Sequence, residues 1–363
     1  MKPICVCGHF AFGKDKLNGQ TIKTKITTQA LADAIGEENL MYVDTAGIRC
    51  MLMLIPKLLW ATVKCDNILI FPARKGLRVI IPILAFLRLF FSFKTHHLVI
   101  GGWLANFLAE RPSLEKMYAK VVSYIYVETS VSGQALKERG YSQTVLMPNF
   151  KSLKILKPQE LPVFNPNNPL QVCTFSRVME RKGIDEAVWA VSHANEKLGK
   201  MVYNLTIYGP VERGEEEWFD RLLSNLPDCA NYGGVVPYDK STEVLQGSFA
   251  LLFPTHFYTE GVPGTLIDAY ASGVPVISSR WESFADVVSE GETGYGYAIG
   301  EADALCEMLV DFAQHPDKML SLRKNCLNRA KDFLPQNLLP ILLERLNWAY
   351  QITNEKTSEI VEN

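Results

Sequence analysis

The stretch "FYTEGVPGTLIDAYASGVPVISS" (residues 257–279) decides the fold. It begins near a lone carboxylate, Glu260, and passes a Pro/Gly turn. A short amphipathic run holding a second carboxylate, Asp268, follows, and the stretch ends in the apolar "VPVISS" (274–279). Just before it stands another apolar run, "FALLFP" (249–254). Strand, loop, helix and strand in that order make one βαβ unit. Its loop lies past the carboxyl end of the first strand, where open α/β sheets bind their ligands.

The same alternation extends outward in both directions. "PICVCG" (3–8), "NLMYVD" (39–44), "NILIF" (67–71), "HHLVIG" (96–101), "SYIYVE" (123–128) and "TVLMPN" (144–149) read as buried strands. "TIKTKITTQALADAIG" (21–36) reads as a helix closed by Gly36, and "LQVCTFS" (170–176) and "YNLTIYG" (203–209) as strands of a second series. Short apolar runs separated by helical stretches predict parallel sheets covered on both faces. "KPQELPVFNPNNPL" (157–170), with four prolines and three asparagines, interrupts the pattern as a linker does. The expected fold is therefore α/β: two Rossmann-like, doubly wound parallel-sheet domains facing a cleft. Residues 1–156 form the first domain, 157–169 the linker and 170–335 the second domain. Residues 336–352, within "NLLPILLERLNWAYQI" (337–352), form a terminal helix packing back on the first domain, and 353–363 a tail.

Composition fits this division, since 363 residues exceed one ordinary core. Eight scattered cysteines match neither a zinc site nor a disulfide framework, so a reducing cytosol is the expected compartment. "MKPICVCGHFAFGKDK" (1–16) has too short an apolar core for a signal peptide. The net charge of -2 hides a split. Residues 1–150 hold 18 basic and 10 acidic residues, a balance of +8, against 19 and 29, or -10, in residues 151–363. An anionic ligand or surface is thus expected at the first half, with no sign of a nucleic-acid partner.

Around the opening stretch, the N–H groups of Gly264, Thr265 and Leu266 would open the helix toward a phosphate. Asp268, one turn inside, suits ribose hydroxyls, and Glu260 faces whatever hangs beyond the phosphates. A solvated loop carboxylate and an exposed helix carboxylate remain the plain alternative. In "TFSRVMERKGIDEAV" (174–188), Arg177 and Lys182 flank a strand-to-helix turn that Gly183 allows. Two cations there can neutralise a diphosphate. Glu180 and Arg181 read as surface charge.

"SRVMERKG" (176–183), followed about 80 residues later by "PTHFYTEGVPGTLIDAYASGVPVISS" (254–279), closely resembles the retaining family-4 glycosyltransferases of the GT-B fold. Their pattern runs Arg…Lys-Gly, then Glu-Gly, six residues, Glu-Ala-x-Ala-x-Gly-x-Pro-Val. The resemblance spans residues 170–335, including "YGGVVPYDKSTEVLQGSFALLFP" (232–254) and "VVSEGETGYGY" (287–297), and is looser in the first domain. It implies hexosyl transfer from a nucleotide-sugar to a glycan or lipid-linked acceptor, with retention at the anomeric carbon. Catalytic roles fall on Glu260 beside the donor sugar and on Arg177 and Lys182 at the diphosphate. Donor binding falls on Gly261, Val262, Pro263 and Gly264 at the sugar hydroxyls, Thr265 and Leu266 at the phosphate, and Val235 near the base. The family's usual ribose-binding Glu is Asp268 here, one methylene shorter. Gly19 stands either where a first-domain glycine meets the diphosphate or in a plain turn. No Asp-x-Asp motif occurs, so a metal-independent reaction with no cofactor beyond the nucleotide-sugar co-substrate is expected.

Many relatives place a histidine after the strand aligned with "HHLVIGGWL" (96–104); here Gly101, Gly102 and Trp103 stand there. The glycines either admit an acceptor, with Trp103 stacking on a sugar, or make only a turn. His96 and His97 fall inside the strand, one expected to pack and the other to face out. Two other readings stay open. One is a non-catalytic nucleotide-sugar-binding or scaffold protein. The other is a glycoside hydrolase, which needs two carboxylates about 5 Å apart and has no use for the cations.

Between Arg49 and Lys94 stand eight basic residues and one acid, Asp66, among the apolar runs "CMLMLIPKLLWATV" (50–63) and "LRVIIPILAFLRLFFSF" (77–93). Arg78, Pro82 and Arg88 break the second run, so a spanning helix is not expected. Peripheral docking of a cytoplasmic enzyme at the inner, anionic face of the cell membrane is.

Overall fold

The computed structural model describes residues 2–12, 19–47, 50, 52–165, 167–237 and 239–348. The expected tail, the last residues of the expected terminal helix, and Arg49 lie outside the described residues.

Two six-stranded parallel sheets carry the chain. The first holds β1 (Ile4–Gly8), β2 (Leu40–Asp44), β3 (Asn67–Ile70), β4 (Lys94–Leu98), β5 (Val122–Val127) and β6 (Thr144–Leu146) in the order β2-β1-β3-β4-β5-β6. The second holds β7 (Leu170–Phe175), β8 (Tyr203–Tyr208), β9 (Ala230–Gly234), β10 (Ala250–Phe253), β11 (Val276–Ser279) and β12 (Gly294–Tyr297) in the order β12-β11-β10-β7-β8-β9. All five residues of β1 and all four of β10 are buried, as strands covered by helices on both faces must be. β9 and β12 were not among the expected strands. "ANYGG" and "GYGY" are glycine-rich and lack the β-branched runs that betray the others, and each sits at an edge of the sheet.

The order reverses between β1 and β3 in the first sheet and between β7 and β10 in the second. Crevices open at such switch points, beyond the carboxyl ends of the strands.

The helix expected over 21–36 runs Gly19–Ile35, and Gly36 follows it with φ 86° and ψ 139°, a conformation open to glycine that breaks the helix. His96 and His97 correct the expected inward–outward split: both are fully buried. His96 bonds to the Tyr126 hydroxyl and Asn67 Oδ1, each at 3.0 Å, and His97 Nδ1 to the Tyr118 hydroxyl at 2.7 Å. Neither face of this sheet meets water, so alternation along the strand moves a side chain only from one buried layer to the other. Burial drives both imidazoles down to about 3, so they stay neutral.

The terminal helix, Pro335–Arg345, packs on the first domain, where Leu338, Leu339, Leu342 and Leu343 join Ile4, Val6, Leu31, Met147 and Phe150 in one core. The linker is tied to the second domain. Leu156 N–H donates to Ala271 O at 2.9 Å and Arg323 Nη1 to Pro162 O at 2.6 Å.

Candidate active site

The turn after β7 brings the first cations to the second domain's switch point. Gly183 has φ 65°, and a Cβ there would collide with the Pro254 carbonyl. Glycine thus lets this turn lie directly against the end of β10, and His256 N–H donates to Arg181 O at 3.0 Å across the same junction. Lys182 is thereby set against the loop after β10. Its ammonium pairs with Glu260, 78 residues away, and lies 4.9 and 5.0 Å from the ring centres of Phe253 and Phe257. Two residues read separately from the sequence are one largely buried ion pair. Arg181, read as surface charge, stacks its guanidinium over Phe257 at 4.2 Å. Arg177 stays partly exposed, and its guanidinium is held by Glu212.

Past Glu260, Pro263 precedes a helix over Gly264–Ala271. Gly264 and Thr265 open it, and their N–H groups have no intrahelical acceptor. The Thr265 hydroxyl is buried with no hydrogen-bond partner. Two of the expected ligand-facing amides are otherwise engaged. Leu266 N–H bonds Pro263 O at 3.1 Å, closing the first turn, and Val262 N–H bonds Glu128 Oε2 of the first domain at 3.2 Å. Asp268 also departs from expectation. It is 3% exposed, and Lys151 Nζ grips its two oxygens at 2.5 and 2.7 Å. Burial raises the Asp268 carboxyl above the usual range, against the opposing pull of Lys151 and Ser241. Glu260 and Asp268 are therefore each tied to a separate lysine on a separate element. Val235 is exposed just past β9, where Gly209 N–H meets Gly234 O at 2.9 Å at the carboxyl end of the sheet.

The first domain supplies the opposite wall. Gly102 N–H donates to Thr259 O at 3.1 Å, and Gly101, with φ 74°, lies beside the same carbonyl. The glycine pair therefore admits the loop of the second domain. Trp103 is turned into its own domain: Nε1–H donates to Ile100 O at 2.7 Å, the ring meets Phe107 edge-on, and Arg74 lies over it at 5.8 Å. Trp103 still borders an open cavity of about 660 Å³ at the first switch point, with Gly8, His9, Gln20, Arg74 and Lys75. Gly19 starts its helix with open space around it, and residues 13–18 before it lie outside the described residues.

Several residues here escaped the sequence reading: Glu128 with its buried partner Lys23, Lys151, Glu212, and the pair of His256 with Glu186. Glu128 alone left a trace, as a carboxylate ending an apolar strand run. Among the described residues, no group of three or more His, Cys, Asp or Glu is placed to hold a metal ion.

Residues 169–315 match the family model described as glycosyl transferases group 1. These residues make up most of the second domain, which is therefore similar to that family. Over 157 residues, 42% of this chain and 38% of the relative, the chain is 27% identical to the putative colanic acid biosynthesis glycosyltransferase WcaL of Escherichia coli. Over 152 residues, 41% and 37%, it is 26% identical to the amylovoran biosynthesis glycosyltransferase AmsK of Erwinia amylovora. The chain thus spans less than two fifths of the length of these curated relatives. Among solved structures, HepE of Anabaena, in complex with UDP and glucose, superposes with a TM-score of 0.75 at 13% identity, covering 96% of this chain and 100% of that one. Sucrose-phosphate synthase of Thermosynechococcus elongatus gives 0.73 at 18%, covering 95% and 97%. The matched residues therefore sit in a two-domain GT-B fold, and the turn with Lys182 and the loop with Glu260 both lie among them.

Proposed function

We propose that the chain moves a hexosyl group from a nucleotide-sugar to a glycan or lipid-linked acceptor, with retention of anomeric configuration and without a metal. The observation that carries this reading is the Lys182–Glu260 pair at the switch point of the second domain, beside the opening turn of the Gly264–Ala271 helix. A departing nucleoside diphosphate gathers negative charge. Lys182, Arg177 and the first N–H groups of that helix can neutralise it, each interaction contributing about 3 kcal/mol in the transition state. A bound diphosphate competes with Glu260 for Lys182 and leaves the Glu260 carboxylate to orient the sugar. A phosphate oxygen of the donor then takes the acceptor's proton, so no side-chain base is required. Ribose binding by Asp268 requires it to share its carboxylate with Lys151.

The named roles of WcaL and AmsK in colanic acid and amylovoran biosynthesis support a polysaccharide acceptor, and the HepE complex with UDP and glucose supports a nucleotide-sugar donor. The first-domain cavity, with Arg74, Lys75 and Trp103 on its rim, is the acceptor site in this reading. Among the described residues no helix is long and apolar enough to cross a membrane. Yet Phe86, Leu89 and Phe90 are exposed at the far end of the helix that begins with Arg74, Lys75 and Arg78, and Ile55 and Trp60 are exposed on the preceding helix, which suits a surface that rests on anionic lipid at the cytoplasmic face. Transfer assays with UDP-, GDP- and ADP-sugars, with and without acceptor lipid, test the proposal. Acceptor-dependent transfer supports it. Tight donor binding without turnover would identify a binding protein instead.

A further inference from the structure

The second domain carries Glu260, but the loop that holds Glu260 is fixed from the other domain. Glu128, just past β5, is 5% exposed and stands at the centre of that grip. Its Oε2 accepts the Val262 N–H at 3.2 Å and the Gly101 N–H at 3.4 Å, so one oxygen binds the donor-side and acceptor-side loops together. Its Oε1 is paired with Lys23, whose ammonium also donates to Val99 O at 3.1 Å. A Cβ on Gly261 would collide with Glu128 Oε2, so glycine at 261 is what allows the carboxylate so close. Three residues earlier than Val262, Thr259 O accepts the Gly102 N–H. Two first-domain hydrogen bonds therefore bracket Glu260, one on each side of it in the chain.

We infer that Glu128 is the positioning residue for Glu260. Closing the domains lets its carboxylate engage the Val262 amide, and that bond sets where the Glu260 carboxylate sits relative to the donor sugar. Lys23 supplies the compensating charge that a buried carboxylate requires. Neither residue needs to touch the nucleotide. Donor-sugar orientation, and with it the rate of transfer, is thereby tied to docking of the first domain, whereas nucleotide affinity is not. This rests on the transferase reading above.

Two double variants test it with the same charge and similar volume. Lys23→Met/Glu128→Gln keeps a side-chain oxygen to accept from Val262, and Lys23→Met/Glu128→Leu does not. The Gln variant should transfer within about threefold of the parent kcat, and the Leu variant should lose at least tenfold. Both should bind the free nucleoside diphosphate, measured by calorimetry, within about twofold of the parent. Hydrogen exchange of the peptide containing Val262 should be faster in the Leu variant than in the Gln variant. Equal kcat values, or a kcat loss matched by an equal loss of diphosphate affinity, would overturn the inference. So would equal Val262 exchange, which is read without turnover. Should the parent protein transfer no sugar at all, the transferase reading fails, and the exchange comparison alone still decides whether Glu128 holds this loop.

Discussion

The two sheets are built alike and furnished differently. The second domain keeps Arg177, Lys182 and Glu260 over the carboxyl ends of its strands, and Asp268 and Arg323 are the acidic and basic side chains buried beneath among the described residues. The first domain buries more of them: Lys23, Asp44, His96, His97, Glu128 and Lys151 are all inside, while large apolar side chains such as Ile55, Trp60, Phe86 and Leu89 face outward. In the proposed reading, the second domain carries the donor chemistry on loops over a generic frame. The first domain, proposed above to meet the acceptor, differs from it in what it hides and what it exposes.

The largest effect expected from breaking this contrast is on stability, at the pair joining the domains. Lys151→Met leaves Asp268 buried without its cation and should cost about 3–5 kcal/mol, read as a lowered denaturation midpoint. Lys151→Met/Asp268→Leu should recover most of it. A small loss in the single variant would mean that the interface opens to water more readily than its burial implies.

The chemical half comes next. Glu260→Gln should cut transfer about 100-fold, roughly 2.7 kcal/mol, with diphosphate affinity within a fewfold of the parent. Lys182→Ala should lower both transfer and diphosphate affinity by at least about tenfold. If Glu260→Gln instead weakens the diphosphate and spares transfer, the assignment of sugar and phosphate to these two residues is reversed.

The first domain should also be the acid-labile one. Folded His96 and His97 protonate only near about 3, whereas unfolded histidine does so near 6.5. Below about pH 6.5 the unfolded chain binds more protons, so stability is greatest above that pH and falls as pH drops toward 3. Each histidine should cost about 2 kcal/mol by pH 5. Denaturant titrations at pH 7 and pH 5 should show this loss, and His96→Gln/His97→Gln should flatten the difference. The smallest effect is at the surface. Lys75→Gln should weaken binding to anionic liposomes about fivefold, near 1 kcal/mol, with no change on neutral ones. A parent protein that ignores both lipids in flotation ends the membrane reading.

What the sequence made legible follows the same divide. Lys182, Glu260 and Asp268 were readable because each stands at a set distance from a glycine turn and a strand end. Their partners were not. Lys23 and Glu128 lie 105 residues apart, and Lys151 and Asp268 117 apart, so no local spacing announces either pair. β9 and β12 were missed because glycine-rich edge strands carry little apolar signal, and one of His96 and His97 was given an outward face because a two-residue period cannot tell a solvated face from a second buried layer.

The Pro335–Arg345 helix has a consequence for how the molecule is made. It completes the core of the first domain, yet it is translated after the whole second domain. Until it leaves the ribosome, the seat around Ile4, Val6, Met147 and Phe150 lacks the four leucines that fill it. At ordinary elongation rates that bare groove persists for roughly 10–40 s of every synthesis, long enough for a chaperone to find it.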